Sequence, residues 1–146
     1  MNLLHVDLGL KTEKVITFRI SPQLNSYKPE QSRALLERVE EQMASIPGVR
    51  SVTASMVPLI AGSNSSTNLT VEGFGQGPGV DTHSNLNRVG AGFFGKMGIP
   101  LIAGREFSEG DNLGGPKVAV VNETFASHFF PNANPMGRSL AQGREM

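Results

Sequence analysis

Apolar positions along the chain fall into short bursts of two different periods. The run Val15-Ile16-Thr17-Phe18-Arg19-Ile20 is β-branched and aromatic, and Ser21-Pro22 halts it, which predicts a strand. Over residues 29–45 the period changes. Leu35, Leu36, Val39, Met43 and Ile46 recur at spacings of three and four, the apolar stripe of an amphipathic helix. Pro29 suits its first turn, where a missing N–H costs nothing, and Pro47-Gly48 ends it. Arg33 and Glu37, four apart, pair weakly on the wet side. At about 1.5 Å per residue such a helix is about 25 Å long, enough to cover one face of a small sheet. Period two returns over residues 49–57, with Val52, Ala54 and Met56 on one face and Ser51, Thr53 and Ser55 on the other. Strand, helix and strand with short joints favour an α/β sandwich of sheet and covering helix.

From Pro58 the pattern loosens. Residues 61–66 are small and polar, and Gly73-Phe74-Gly75-Gln76-Gly77-Pro78-Gly79 is dense in turn formers. Between them residues 68–72 alternate as a two-sided strand does, and residues 85–89 alternate again. Residues 58–87 therefore read as a β-rich excursion joined by loops. Beyond it, residues 91–97 predict a short helix ended at Gly98, and residues 99–104 a short extended element. A turn surrounds Gly110-Asp111, and residues 117–121 predict a buried strand. Asn122 is placed to cap a helix over residues 123–130, whose Phe125 and Phe129 share a face, and Pro131 stops it. A further turn lies at residues 135–138. No closing element follows at Gly143-Arg144-Glu145-Met146, so the sequence reads as an excised piece. The class is α+β.

Composition narrows the partners. With 146 residues the chain fits one domain or two small lobes, and 38% hydrophobic against 18% charged residues suits a folded body. Lysine plus arginine balance aspartate plus glutamate at 13 each, leaving no field to draw nucleic acid. The absence of cysteine excludes a disulfide framework, a cysteine zinc site and a thiol nucleophile. No apolar stretch approaches the roughly 20 residues of a bilayer-spanning helix, and the N-terminus has no secretory-signal pattern.

His5, His83 and His128 are far apart and lack partners at ligand spacing, so no metal site is expected. Gly73, Gly75, Gly77 and Gly79 alternate too regularly for a nucleotide fingerprint, and no cofactor site is expected. Ser63, Ser65 and Ser66 lack a nucleophile elbow. Glu106, Glu109 and Asp111 read as a solvated turn rather than an acid–base pair or a calcium loop. Asn64, Asn68 and Asn122 head sequons, of which Asn122 is better explained as a cap. Phe93, Phe94, Phe129 and Phe130 read as core rather than an aromatic box. No catalytic residue is expected. A pocket joining two of Glu72, Asp81, Glu106 and Asp111 is what a hydrolase would need.

Five segments carry a family resemblance. Residues 7–18, the joint Ile46-Pro47-Gly48-Val49-Arg50-Ser51-Val52, the stretch from Gly92-Phe93-Phe94 to Gly104-Arg105-Glu106-Phe107, the stretch from Val120-Val121-Asn122 to Phe129-Phe130-Pro131, and Asn134-Pro135-Met136-Gly137-Arg138 resemble, in order, the MacB-like periplasmic core domain of bacterial ABC transporter permeases, in the FtsX-like permease superfamily. The resemblance implies a porter-like α/β subdomain formed by residues 1–57 and 88–146, truncated at its C-terminus, with residues 58–87 inserted as a smaller β-rich subdomain. It implies a place on the periplasmic face of the inner membrane, between two membrane helices of a permease. Its implied task is coupling membrane-helix motion to an external substrate or partner, without catalysis. Implied partners are the permease's own helices, a permease homodimer, a separate or fused ATPase, and an adaptor or substrate protein. The competing readings are a secreted non-catalytic module binding carbohydrate or peptide, and a small hydrolase.

Overall fold

Helical sequence and scattered β signals resolve, in a computed structural model, into an α+β chain described over residues 14–59, 64–112 and 114–143. The regular elements are helix α1 (Pro29–Ala44), strand β1 (Ser66–Val71), strand β2 (His83–Asn85), helix α2 (Phe93–Met97), helix α3 (Glu123–Phe129) and strand β3 (Leu140–Gln142). A 3₁₀ turn, Pro22–Asn25, precedes α1. Two compact units divide the chain: Met1–Ala54 with Gly90–Phe107, and Ser55–Val89 with Ser108–Met146.

In the first unit α1 begins at Pro29, as the pattern predicts, and the Gln31 side-chain oxygen accepts the Lys28 N–H at 2.9 Å. That bond satisfies a backbone donor just before the first turn. Leu35, Leu36, Val39 and Met43 are half-buried, and Ser32, 7% exposed, is the buried residue of this helix. Ile46, expected on the stripe, is 49% exposed because the helix has already ended at Ser45 and the chain turns through Gly48 at φ +90°. The Arg33–Glu37 pair forms at 2.7 Å with both side chains more than half exposed, a geometry that contributes about 0.3–0.5 kcal/mol.

The flanking strands do not form. Residues 15–20 and 49–54 have no ladder partner among the described residues, and a single antiparallel bridge joins Ser55 to Val89. Likewise residues 117–121 are irregular, with Val118 exposed. β-branched composition favours a pleated surface only where a neighbouring strand supplies hydrogen bonds and packing. The α+β class stands, but the sheet is built from other residues.

That sheet lies in the second unit, with order β2-β1-β3 and both pairs antiparallel. Ser66 faces Asn85 and Asn68 faces His83, while Leu69 faces Gln142 and Val71 faces Leu140. One half of β1 thus pairs on each side, and Thr70 Oγ1 donates to the Gly143 carbonyl at 2.6 Å. Leu69, Val71 (2% exposed) and Phe129 (4% exposed) form the core, with Phe74, Phe125 and Phe130 packed against it. Phe74 meets Phe129 edge-on at 4.8 Å between centroids, and Phe125 lies 4.4 Å from Phe129. Each such aromatic pair adds about 0.5–1.5 kcal/mol beyond its area. Asn122 caps α3 as expected, its Oδ1 accepting the Phe125 N–H at 2.9 Å.

Replacing Phe129 with alanine empties the centre of this core and is expected to cost about 3–5 kcal/mol, whereas Asn122→Ala should cost about 1 kcal/mol. Urea denaturation gives both values, and amide exchange at Leu69 and Val71 should accelerate far more in the first variant.

Candidate functional site

Each unit carries one glutamate that clamps distant backbone. In the first, Gly90 to Phe107 closes on itself: the Gly92 N–H donates to the Phe107 carbonyl at 3.1 Å, tying the two ends of the segment together. Gly92 is left-handed (φ +67°), which lets the chain turn into α2. The Glu106 carboxylate accepts the N–H groups of Phe94 at 2.6 Å and Gly95 at 2.9 Å. These are amides at the start of a helix, which have no intrahelical acceptor, and an anion suits that end of the dipole. Gly95 permits the approach, since a Cβ there would stand 3.0 Å from Glu106 Oε2. At the other end Gly98 donates to Gly95 and Ile99 to Phe94, the paired bonds of a Schellman stop before Pro100. Phe93 is 5% exposed and meets Phe94 edge-on at 5.6 Å.

In the second unit Glu72, just past β1, reaches across to the segment before β3. Its Oε1 accepts Arg138 Nη1 at 3.0 Å and its Oε2 accepts the Ser139 N–H at 2.9 Å. The Glu72 N–H in turn donates to the Ser139 carbonyl, so the pair prolongs the β1–β3 ladder by side-chain means. The Ser139 N–H, then the Arg138 guanidinium, hold the Glu72 carboxyl below its ordinary value, against a smaller opposing effect of burial. Beside this pair lies a shallow groove of about 290 Å³, with Glu72, Gly73 and Arg138 on its polar side and residues 129–133 on the other. That volume sits at the lower edge of what small-molecule sites occupy.

The four carboxylates named from the sequence are not brought together. Only Glu72 lines the groove. Asp81 accepts the His83 N–H, Glu106 serves α2, and Asp111 accepts both the backbone N–H and the hydroxyl of Ser108. His83 opens β2, His128 lies on α3 with Nε2 2.9 Å from the Asp81 carbonyl oxygen, and His5 lies outside the described residues. Among the described residues no group of three or more metal-ligating side chains occurs. Ser65 and Ser66 lead into β1, and Ser63 lies outside the described residues. The glycine-rich stretch is the β1–β2 connection, pinned at one end by Phe74 against His128 and Phe129 and at the other by the Asp81–His128 contact.

Sequence reasoning missed both clamps. Glu72 and Arg138 are 66 residues apart, and no local spacing announces such a pair. Glu106 stands eleven and twelve residues from the amides it accepts, and read in isolation it belongs to a solvated turn. Residues 92–107 hold the whole of the first clamp, and residues 120–138 hold only Arg138 of the second.

A scan against protein families matches residues 7–144 to the model described as MacB-like periplasmic core domain. No curated protein and no solved structure matches the chain.

Two outcomes test the clamps. Glu106→Ala should lower stability by about 1 kcal/mol and accelerate amide exchange at Phe94 and Gly95 selectively. Because the folded-state pKa of Glu72 is lowered, its contribution is present above the ordinary carboxylate pKa and is lost as pH falls through the lowered value. Urea midpoints measured from neutral to acid pH should fall less steeply for Glu72→Gln than for the unsubstituted chain.

Proposed function

The chain belongs to the MacB-like periplasmic core domain family, and from that membership we propose that it is the lobe of an ABC-type permease that relays membrane-helix motion to a substrate or partner protein outside the membrane. The family is one of transporter permease domains rather than of catalysts. The match across residues 7–144 carries this reading. Among the described residues no helix is long and apolar enough to cross a membrane, so in this proposal the spanning helices lie outside them.

The finer organisation is proposed on the same basis. Residues 1–57 and 88–146 form a porter-like α/β subdomain, and residues 58–87 a smaller β-rich insertion. The shift to small and polar residues beyond Pro58 supports that division, as does the antiparallel β1–β2 pairing within 58–87. β3 then ties the insertion to the C-terminal segment through the β1–β3 ladder and the Glu72–Arg138 pair. The two clamps suit a part that transmits force, since each fixes a short element against sequence-distant backbone without a long ladder. In this reading the domain works on the periplasmic face, carries no chemistry of its own, and acts with its own membrane helices, a second permease copy, an ATPase and an adaptor or substrate protein.

The test uses the assembled permease. The chain has no cysteine, so Glu41→Cys on α1 and Gln76→Cys in the β1–β2 connection accept spin labels without background from this domain. The distance distribution between them should shift when nucleotide drives the transporter through its cycle. An unchanged distribution in a transporter that still hydrolyses ATP would sink the coupling role. A membrane-impermeant maleimide should also reach Gln76→Cys from the periplasmic side.

A further inference from the structure

In the second unit, residues 55–57 and 87–89 run antiparallel as a short ribbon held as much by side chains as by backbone. Ser55 bridges Val89, and the Met56 N–H donates to the Arg88 carbonyl at 2.8 Å. Asn87 grips the Val57 backbone with its side-chain amide, Oδ1 accepting the N–H and Nδ2 donating to the carbonyl, each at 2.8 Å. Arg88 then meets Met56 a second time: its Nη1 donates to the Met56 sulfur at 3.3 Å.

That last contact pairs a cation with a poor acceptor, since a thioether sulfur accepts hydrogen bonds only weakly. Oxidation to the sulfoxide adds an oxygen that carries the negative end of the S–O dipole, and hydrogen bonds from a charged donor are the stronger kind. Met56 is 50% exposed and Arg88 is exposed, so an oxidant reaches the sulfur and both side chains can move to admit the added oxygen. In a core, sulfoxide formation loosens structure because an apolar side chain turns polar. Here the side chain already lies at the surface and the group facing it is a donor, so the sign reverses. The chain has no cysteine, so it offers a peroxide no thiol, and its exposed methionine sulfurs are the soft nucleophiles that remain.

We propose that Met56 is a site of reversible oxidation by peroxides and that Arg88 captures the sulfoxide, so that the modification tightens the ribbon. A sulfur lone pair attacks one peroxide oxygen, and the S–O bond forms as the O–O bond breaks. The leaving hydroxide takes the proton of the new S–OH group, giving the sulfoxide and water. Reduction by a methionine sulfoxide reductase returns the thioether. Nothing in this depends on what the domain relays.

Hydrogen peroxide acting on the 146-residue chain tests both halves. Trypsin puts Met43, Met56, Met97 and Met136 on separate peptides, residues 39–50, 51–88, 97–105 and 118–138, so mass spectrometry reads each sulfur alone. Met56 and Met136, both 50% exposed, should oxidise well before the half-buried Met43 and Met97. Oxidation should slow amide exchange at Met56 and Val57 by about twofold or more, and the reductase should reverse the effect. Arg88→Ala should still oxidise at Met56 yet show no slowing. Met56→Leu should show none either, which assigns the effect to this sulfur rather than to Met136. Exchange at Met56 that is unchanged or faster on oxidation, slowing that survives in Arg88→Ala, or a Met56 that stays reduced while Met43 oxidises would each overturn the proposal.

Discussion

A backbone amide left over by helix and ladder needs an acceptor, and in this chain Asn87, Glu106 and Glu72 supply one from well outside the local sequence. Short elements make this unavoidable. A five-residue helix such as α2 has few internal bonds and several unsatisfied ends, so its persistence rests on what its flanks provide. Glu106 provides two acceptor oxygens at one end, and Gly98 folds the other end shut. The same constraint explains Glu72, which takes over where the β1–β3 ladder would otherwise stop at Val71. Both carboxylates are engaged by backbone amides, and the Ser139 N–H and the Arg138 guanidinium hold the Glu72 carboxyl below its ordinary value.

The core of the second unit shows how little burial is needed once such clamps exist. Leu69, Val71 and Phe129 make a small centre, and the aromatic rings of Phe74, from the β1–β2 connection, and of Phe125 and Phe130, from α3 and its C-cap, widen it. α3 contributes three of those rings or their neighbours because Asn122 starts it and Pro131 follows it, leaving Phe125, Phe129 and Phe130 on the side that meets the sheet. Sheet, helix and connection are therefore interdependent, and no one of them is a stable module alone.

Helices were legible in the sequence because their signals are local. Pro29 and the three-and-four spacing marked α1, Gly98 marked the end of α2, and Asn122 marked the start of α3. Of the strands read beside the glycine-rich stretch, residues 68–72 fall largely on β1, whereas residues 85–89 meet β2 (His83–Asn85) only at Asn85. Residues 15–20, 49–54 and 117–121 have equally good strand composition and form none, because pairing is decided by partners that composition cannot name. β3 went unread for the converse reason: Leu140-Ala141-Gln142 has no pattern, and its place is set by β1 and the Glu72–Arg138 pair. The jobs of Glu72 and Glu106 could not be read from spacing, since each acts over a distance that sequence period does not encode.

The β1–β2 connection is anchored at Phe74 and again at Asp81, and the residues between touch little else. Adding residues between two fixed points costs only slowly with length, about 0.6 kcal/mol for each doubling of a flexible loop. Length is consequently the cheapest property of this protein to alter there, while the anchors themselves are held by the aromatic centre. Divergence among related permeases should accumulate first as insertions and deletions between those anchors, giving each lineage its own outward-facing tip on an unchanged frame.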